Sequence, residues 1–249
     1  MSDMSIESPC KRGDKGKKVR LIQEWLSLQG YRLVIDGDFG PATEAAVRAF
    51  QGREQLQPTG VVTPSTFEEL VAPMRAAMQP IASNGEPLGD LVLEYATQHL
   101  KAHPREIGGE NCGPWVRLYM KGNEGPAWPW CAGFVCYCLD QACTSLGISM
   151  PITASVSCDW LAASAKERGL FLSESAVADR TAIPPGSVFL NRRTPTDWVH
   201  TGIVVKAERD FFTTIEGNTN DEGSREGFEV CARVRGYEKK DFIPMFTQA

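Results

Sequence analysis

The sequence predicts an α+β protein: a small three-helix bundle, then a larger unit whose helices precede an antiparallel sheet. Three observations carry this expectation. Apolar residues recur at helical spacing through residues 14–72; residues 73–88, "PMRAAMQPIASNGEPL", mix Pro, Ala, Ser, Asn and Gly; and from residue 186 onward short β-rich runs alternate with turn residues.

In the first unit, "GKKVRLIQEWLSLQGY" sets Val19, Ile22 and Leu26 on one helix face. Leu21, Trp25 and Leu28 widen that stripe, and Gly30 stops it. Asp36-Gly37 marks a turn, and Pro41 sits where a first helical residue belongs, before the stripe of Ala46, Val47 and Phe50. A third short helix has Thr63 or Ser65 as its cap and Phe67, Leu70 and Val71 as its buried side. Residues 73–88 read as a linker with a short helical start.

In the second unit, residues 89–249, Val92, Tyr95, Ala96 and Leu100 define a helix that Pro104 ends. A short helix carries Val116, Leu118 and Tyr119, and a longer one runs from Cys131 through Val135, Leu139 and Ala142. Four strands are expected over 186–192, 200–208, 211–218 and 228–237.

Composition narrows the function classes. A net charge of −5 argues against nucleic acid as the main partner, and the basic run "CKRGDKGKKVR" reads as a solvated terminus. No run of 18 apolar residues is present, so no membrane span is expected. The opening residues lack the pattern of a signal peptide, which implies release by lysis or by a dedicated secretion machine. The eight cysteines include no Cys-x2-Cys pair, so free, mostly buried thiols are expected, with no structural zinc, bound metal or cofactor.

One cysteine stands apart. "PAWPWCAGF" delivers Cys131 to a helix N-terminus, where the helix field and unpaired N–H groups lower a thiol's pKa and can face an oxyanion. Trp130 beside it is expected to wall the cleft. A thiolate nucleophile needs a base, and the chain has three histidines. His99 and His103 lie near a helix end, where contact with that end or exposure to solvent accounts for them. His200 begins "HTGIVV", with Thr201 and Gly202 leaving room around it; a base and a satisfied core histidine both fit that place. Glu216 and Asn218, two apart on the next strand, share a face that a hairpin would bring toward His200. Trp198 would share the face of His200, either shaping a substrate groove or serving as a core or rim aromatic.

Two resemblances attach to these residues. The first unit resembles the three-helix peptidoglycan-binding domain through Gly16, Val19, Leu21, Gln23, Leu26, Asp36-Gly37, Phe39-Gly40, Thr43, Phe50-Gln51, Thr59-Gly60 and Thr66. The second resembles the cysteine, histidine-dependent amidohydrolase/peptidase (CHAP) family and its papain-like relatives of the NlpC type. "PWCAGFVCYCL", "HTGIVV" and "IEGN" carry that resemblance, with "REIGGENCGPWVRLYM" upstream. It implies a papain-like fold with Cys131 as nucleophile, His200 as base, Glu216 as orienting residue, Asn218 in support, and Asn111 among the substrate-facing residues. Together the resemblances imply a peptidoglycan hydrolase. An endopeptidase is the first expectation, with an N-acetylmuramoyl-L-alanine amidase and a non-catalytic wall-binding protein as alternatives. The biological role would be that of a phage endolysin, or of a secreted effector paired with an immunity protein.

Overall fold

The computed structural model describes residues 3–219 and 227–245. The expected second unit therefore includes 220–226 and 246–249, which lie outside the described residues.

The first three helices form where the apolar stripes run: α1 (Lys17–Leu28), α2 (Pro41–Arg53) and α3 (Pro64–Leu70). Pro41 is the first residue of α2, and the Thr63 hydroxyl caps α3 by accepting from the Thr66 N–H. Trp25, Phe39, Phe50 and Phe67 fill the centre. Two buried glutamines hold the turns. Gln23 Oε1 accepts the Gly37 N–H at 2.8 Å while its amide donates to Asp36 Oδ1 at 2.9 Å; Gln51 Oε1 accepts the Gly60 N–H at 2.9 Å. Each side-chain amide thus supplies the partner that a turn N–H would lack inside the bundle. Gly37 holds φ at +74°, the left-handed region that glycine enters without strain.

The expected linker is not a loose tether. It opens with α4 (Ala72–Ala77), which buries Met74 and Ala77. The chain then runs along α5 (Leu88–Ala102), where Gln98 donates to Ala77 O and Gln79 O and the Tyr95 hydroxyl accepts the Ile81 N–H. The bundle also touches the rest of the chain directly. The Trp25 and Trp115 rings meet edge to face at 6.4 Å. Arg117, on α6 (Pro114–Tyr119), donates to Asp3, to the buried Glu24 of α1 and to Glu124 at 2.6–2.8 Å through its three nitrogens. Arg105 donates to Leu28 O at 2.5 Å. A guanidinium matches such a fan of acceptors because its donors diverge in one plane.

Five antiparallel strands form one sheet in the order β4-β3-β2-β1-β5: β1 (Val188–Thr194), β2 (Asp197–Ala207), β3 (Phe212–Thr219), β4 (Glu229–Arg235) and β5 (Lys240–Ile243). The hairpin between β2 and β3 turns at the expected Glu208–Asp210, where Glu208 N–H donates to Phe211 O. Two elements depart from expectation. β5 pairs with β1 at the sheet edge, and α8 (Cys158–Glu167) packs against β2. The long α7 (Cys131–Leu146) lies across β2 and β3 with α5 behind it. Helices before an antiparallel sheet make the architecture α+β.

Gly217 explains how closely α7 approaches the sheet. A Cβ there would lie 2.7 Å from Phe134 and 2.9 Å from Trp130, so only glycine lets β3 reach the start of α7.

Candidate active site

Cys131 is the first residue of α7, after an N-cap residue, Trp130, that makes no side-chain cap. As at any helix start, the first-turn N–H groups have no intrahelical partner, and that of Ala132 meets the thiol. Cys131 is 5% exposed and His200 4%.

His200 stands on β2 opposite Asn191 of β1. Its Nε2 lies 2.7 Å from Glu216 Oε2 on β3, while its Nδ1 is buried without a hydrogen-bond partner of good geometry. This arrangement fixes the tautomer: neutral imidazole keeps its proton on Nε2 for Glu216 and leaves the Nδ1 lone pair free toward Cys131. Gly202 makes room for the carboxylate, since a Cβ there would sit 2.6 Å from the Glu216 Cγ.

Glu216 is fully buried and fully partnered. Thr214 Oγ1 donates to Oε1 at 2.5 Å, and Arg235 donates through Nε to Oε1 at 2.8 Å and through Nη2 to Oε2 at 2.5 Å. Burial alone would raise the Glu216 carboxyl, but Arg235 and His200 outweigh it and bring it down to about 2. Burial would likewise discharge His200; the Cys131 thiol and Glu216 reverse that and raise it to about 9. Cys131 is held well below the ordinary thiol range by a contact with Cys158, then by His200 and the Ala132 N–H, against the opposing effect of burial. Both shifts run in the direction of a thiolate beside an imidazolium.

Cys158 opens α8, and its Sγ lies 3.9 Å from that of Cys131. Asp159, the next residue, accepts the Trp198 N–H at 2.7 Å, so β2 pins the start of α8 beside the thiol.

Other expected site residues take different places. Trp130 is not a cleft wall: it is wholly buried, stacked on Tyr119 at 5.5 Å, with its Nε1 donating to Glu106 Oε1 at 2.9 Å. Gly217 admits this ring against β3, so the aromatic before the cysteine turns inward. Asn111 adopts φ +49°; its N–H donates to Glu106 Oε2 at 2.7 Å and its carbonyl accepts from Gly125 N. It closes a loop around Glu106, and at 6% exposure it offers little surface to a substrate. Trp198 is 6% exposed, donates through Nε1 to Asp241 at 2.8 Å and carries the Lys166 ammonium 4.3 Å above its ring. It joins β2 to α8 and β5, and at this burial it offers little surface to a substrate. Asn218 has φ +53° and a buried Oδ1 without a partner among the described residues, two residues beyond Glu216.

Sequence reasoning missed Cys158, Thr214, Arg235 and Trp128. Thr214 carried a signal, being two residues before Glu216 on the same strand face. Trp128 lines a half-open cavity of about 510 Å³ along α7, together with Met120, Gly133, Tyr137 and Val156. Lys121 and Asp140 add opposite charges to its lining. Among the described residues, no group of three or more His, Cys, Asp or Glu is placed to hold a metal ion, and no helix is long and apolar enough to cross a membrane.

Comparison with known proteins places the first unit. Residues 15–70 match the family described as "Putative peptidoglycan binding domain". A zinc D-Ala-D-Ala carboxypeptidase of Streptomyces albus G is 41% identical over 63 residues, which are 23% of this chain and 24% of that protein. A peptidoglycan-binding protein from Clostridioides difficile, solved with glutamine hydroxamate, is 34% identical over 28% of this chain and 42% of its own, with a TM-score of 0.26. The Burkholderia AP3 phage endolysin is 32% identical over 38% of this chain and 33% of its own, also with a TM-score of 0.26. This chain thus spans about a quarter of its curated relative.

Proposed function

We propose that the protein is a peptidoglycan hydrolase that cleaves an amide bond in the peptide part of the bacterial cell wall with Cys131, His200 and Glu216. The observation that carries this reading is His200. Buried at the foot of α7, it offers one ring nitrogen to the Cys131 side while Glu216 holds the other at 2.7 Å, in a chain whose residues 15–70 match a peptidoglycan-binding family. In this reading residues 14–72 anchor the protein on the wall, and residues 89–249 form a papain-like catalytic unit of the CHAP type.

The chemistry follows from the charges. The Cys131 thiolate attacks the amide carbonyl, and the unpaired N–H groups at the start of α7 stabilise the oxyanion. The His200 imidazolium protonates the leaving amine; the neutral ring then takes a proton from water, which cleaves the thioester. Glu216, clamped by Arg235 and Thr214, holds the ring in place and stabilises its charged form. The cavity lined by Trp128 and Tyr137 receives the part of the substrate that extends along α7.

An endopeptidase is the preferred assignment, and N-acetylmuramoyl-L-alanine amidase is the alternative. The enzyme acts in the periplasm or cell wall, either as a phage endolysin or as a lytic effector with an immunity partner. Digestion of purified sacculi by the wild type and by Cys131→Ala, with fragments identified by mass spectrometry, tests the reading. New stem or cross-link termini mark an endopeptidase; freed L-alanine amines beside intact muramic acid mark an amidase. Identical, uncleaved sacculi from both proteins would leave wall binding as the function.

A further inference from the structure

The catalytic reading uses one sulfur at the start of α7, yet the structure places two there. Cys131 and Cys158 open two different helices, are 5% and 7% exposed, and hold their sulfurs 3.9 Å apart. A disulfide needs a separation of about 2 Å, so closing the bond asks each side chain to give by roughly 1 Å. The approach is not accidental crowding at a loose end. Asp159 accepts the Trp198 N–H and Leu161, Ala162 and Ala165 bury the α8 face, so the position of Cys158 is fixed by the same strand that carries His200.

We infer that Cys131 and Cys158 form a reversible modification site, in which a peroxide oxidises Cys131 and Cys158 traps the product as an intramolecular disulfide. In the first step the Cys131 thiolate attacks a peroxide oxygen and the O–O bond breaks. Sulfur is oxidised to the sulfenic acid, the peroxide is reduced, and the departing hydroxide takes a proton from the His200 imidazolium to become water. In the second step the Cys158 sulfur attacks the sulfenic sulfur. The S–S bond forms, the S–O bond breaks, and the thiol proton leaves with the hydroxide as a second water. A low-molecular-weight thiol reverses the modification by exchange.

The two cysteines divide the labour in the way such a site requires. Cys131 is the ionised partner and reacts first; Cys158, pushed well above the ordinary thiol range by its contact with Cys131 and by burial, stays protonated and waits. Trapping the sulfenic acid stops the oxidation short of the irreversible sulfinic and sulfonic acids. The inference rests on the proposed function only in that the disulfide would switch hydrolysis off.

Peptide mapping of full-length protein treated with hydrogen peroxide, alkylated under denaturing conditions without reductant, tests it independently of activity. The expected product is a peptide cross-linked between Cys131 and Cys158, lighter by two hydrogen atoms than the reduced pair and abolished by dithiothreitol. In Cys158→Ser and Cys158→Ala, a dimedone adduct appears on Cys131 and longer exposure gives an irreversible sulfonic acid. Wild-type protein that accumulates the dimedone adduct or sulfonic acid on Cys131 while Cys158 remains alkylatable would overturn the inference, as would a cross-link of Cys131 to Cys136. Because the map needs no substrate, its failure is distinct from a failure to cleave sacculi. A cross-link without cleavage would leave the inference standing, and cleavage without a cross-link would remove it alone.

Discussion

His99, in the helical half, and His200, on the sheet, are buried almost alike at 0% and 4% exposure, yet their pKa values are pushed in opposite directions. His99 sits in an aromatic cage of Trp115, Tyr119, Phe134 and Tyr137, with Nδ1 on the Tyr119 hydroxyl at 2.8 Å and Nε2 on Gln141 Oε1 at 2.9 Å. Both partners are neutral, so burial decides and lowers it to about 4. His200 has a carboxylate on one nitrogen and a thiol on its other side, and these raise it to about 9. Burial alone makes a structural histidine. Burial between two groups that can carry negative charge makes a proton carrier, which is the property the proposed mechanism needs.

The largest expected effect breaks that pair from the sulfur side. Cys131→Ala lowers the release of soluble wall fragments by at least about 10³-fold while binding to sacculi is retained. Fragment release within tenfold of wild type would mean that the charged histidine serves no catalysis.

Glu216→Gln attacks the other partner and should show in two measurements. The active form needs the Cys131 thiolate and the His200 imidazolium together, so kcat/KM falls as pH rises through about 9 in the wild type. Without the carboxylate that basic limb moves down toward the ordinary histidine value, and kcat drops by about 10²-fold or more. Stability in urea also falls by about 3 kcal/mol, because Arg235 is left half-buried without its counter-charge. An unmoved basic limb would assign it to some group other than His200.

Linkage separates the two histidines further. The folded pKa of His200 lies above its ordinary value of 6.5, so its contribution to stability is fully present below 6.5 and is lost as pH rises through about 9. The folded pKa of His99 lies below the same value, so its contribution is present above 6.5 and is lost as pH falls through about 4. His99→Ala should cost about 2–4 kcal/mol through a cavity and two orphaned partners, and should leave the basic limb of kcat/KM in place. Unfolding followed by circular dichroism from acid to alkaline pH, set beside the pH–rate profile, checks both statements.

The smallest effect belongs to His103, whose Nε2 lies 2.6 Å from Glu229 with a side chain 54% exposed. His103→Ala should change stability by less than about 1 kcal/mol and leave the pH profile untouched. A larger change would show that exposure is a poor guide to the weight of this pair.

Local pattern made much of this legible. Pro129 and Trp130 marked Cys131 as a helix start, and period-two spacing with a short hairpin put His200 and Glu216 together. What escaped depends on distance along the chain. Arg235 reaches Glu216 only through the pairing of β3 with β4, a register set by the whole sheet and invisible in either strand. Leu161, Ala162 and Ala165 in α8 carried a helical stripe, but the irregular stretch before it hid the start and Cys158 with it. Trp130 misled because its direction depends on Gly217, a residue of β3 far along the chain, which opens space for the ring behind the helix.

The clamp between the bundle and α6 has a consequence for how such a hydrolase would work along a wall. A binding module on a slack tether lets its catalytic partner sweep a volume, so cuts fall anywhere within reach. Here Arg117 pairs with Asp3 and Glu24 while Trp25 abuts Trp115, so side-chain contacts tie the bundle to α6. For the proposed hydrolase, such a tie predicts that on a polymer with a regular repeat the released fragments carry a set spacing in their lengths.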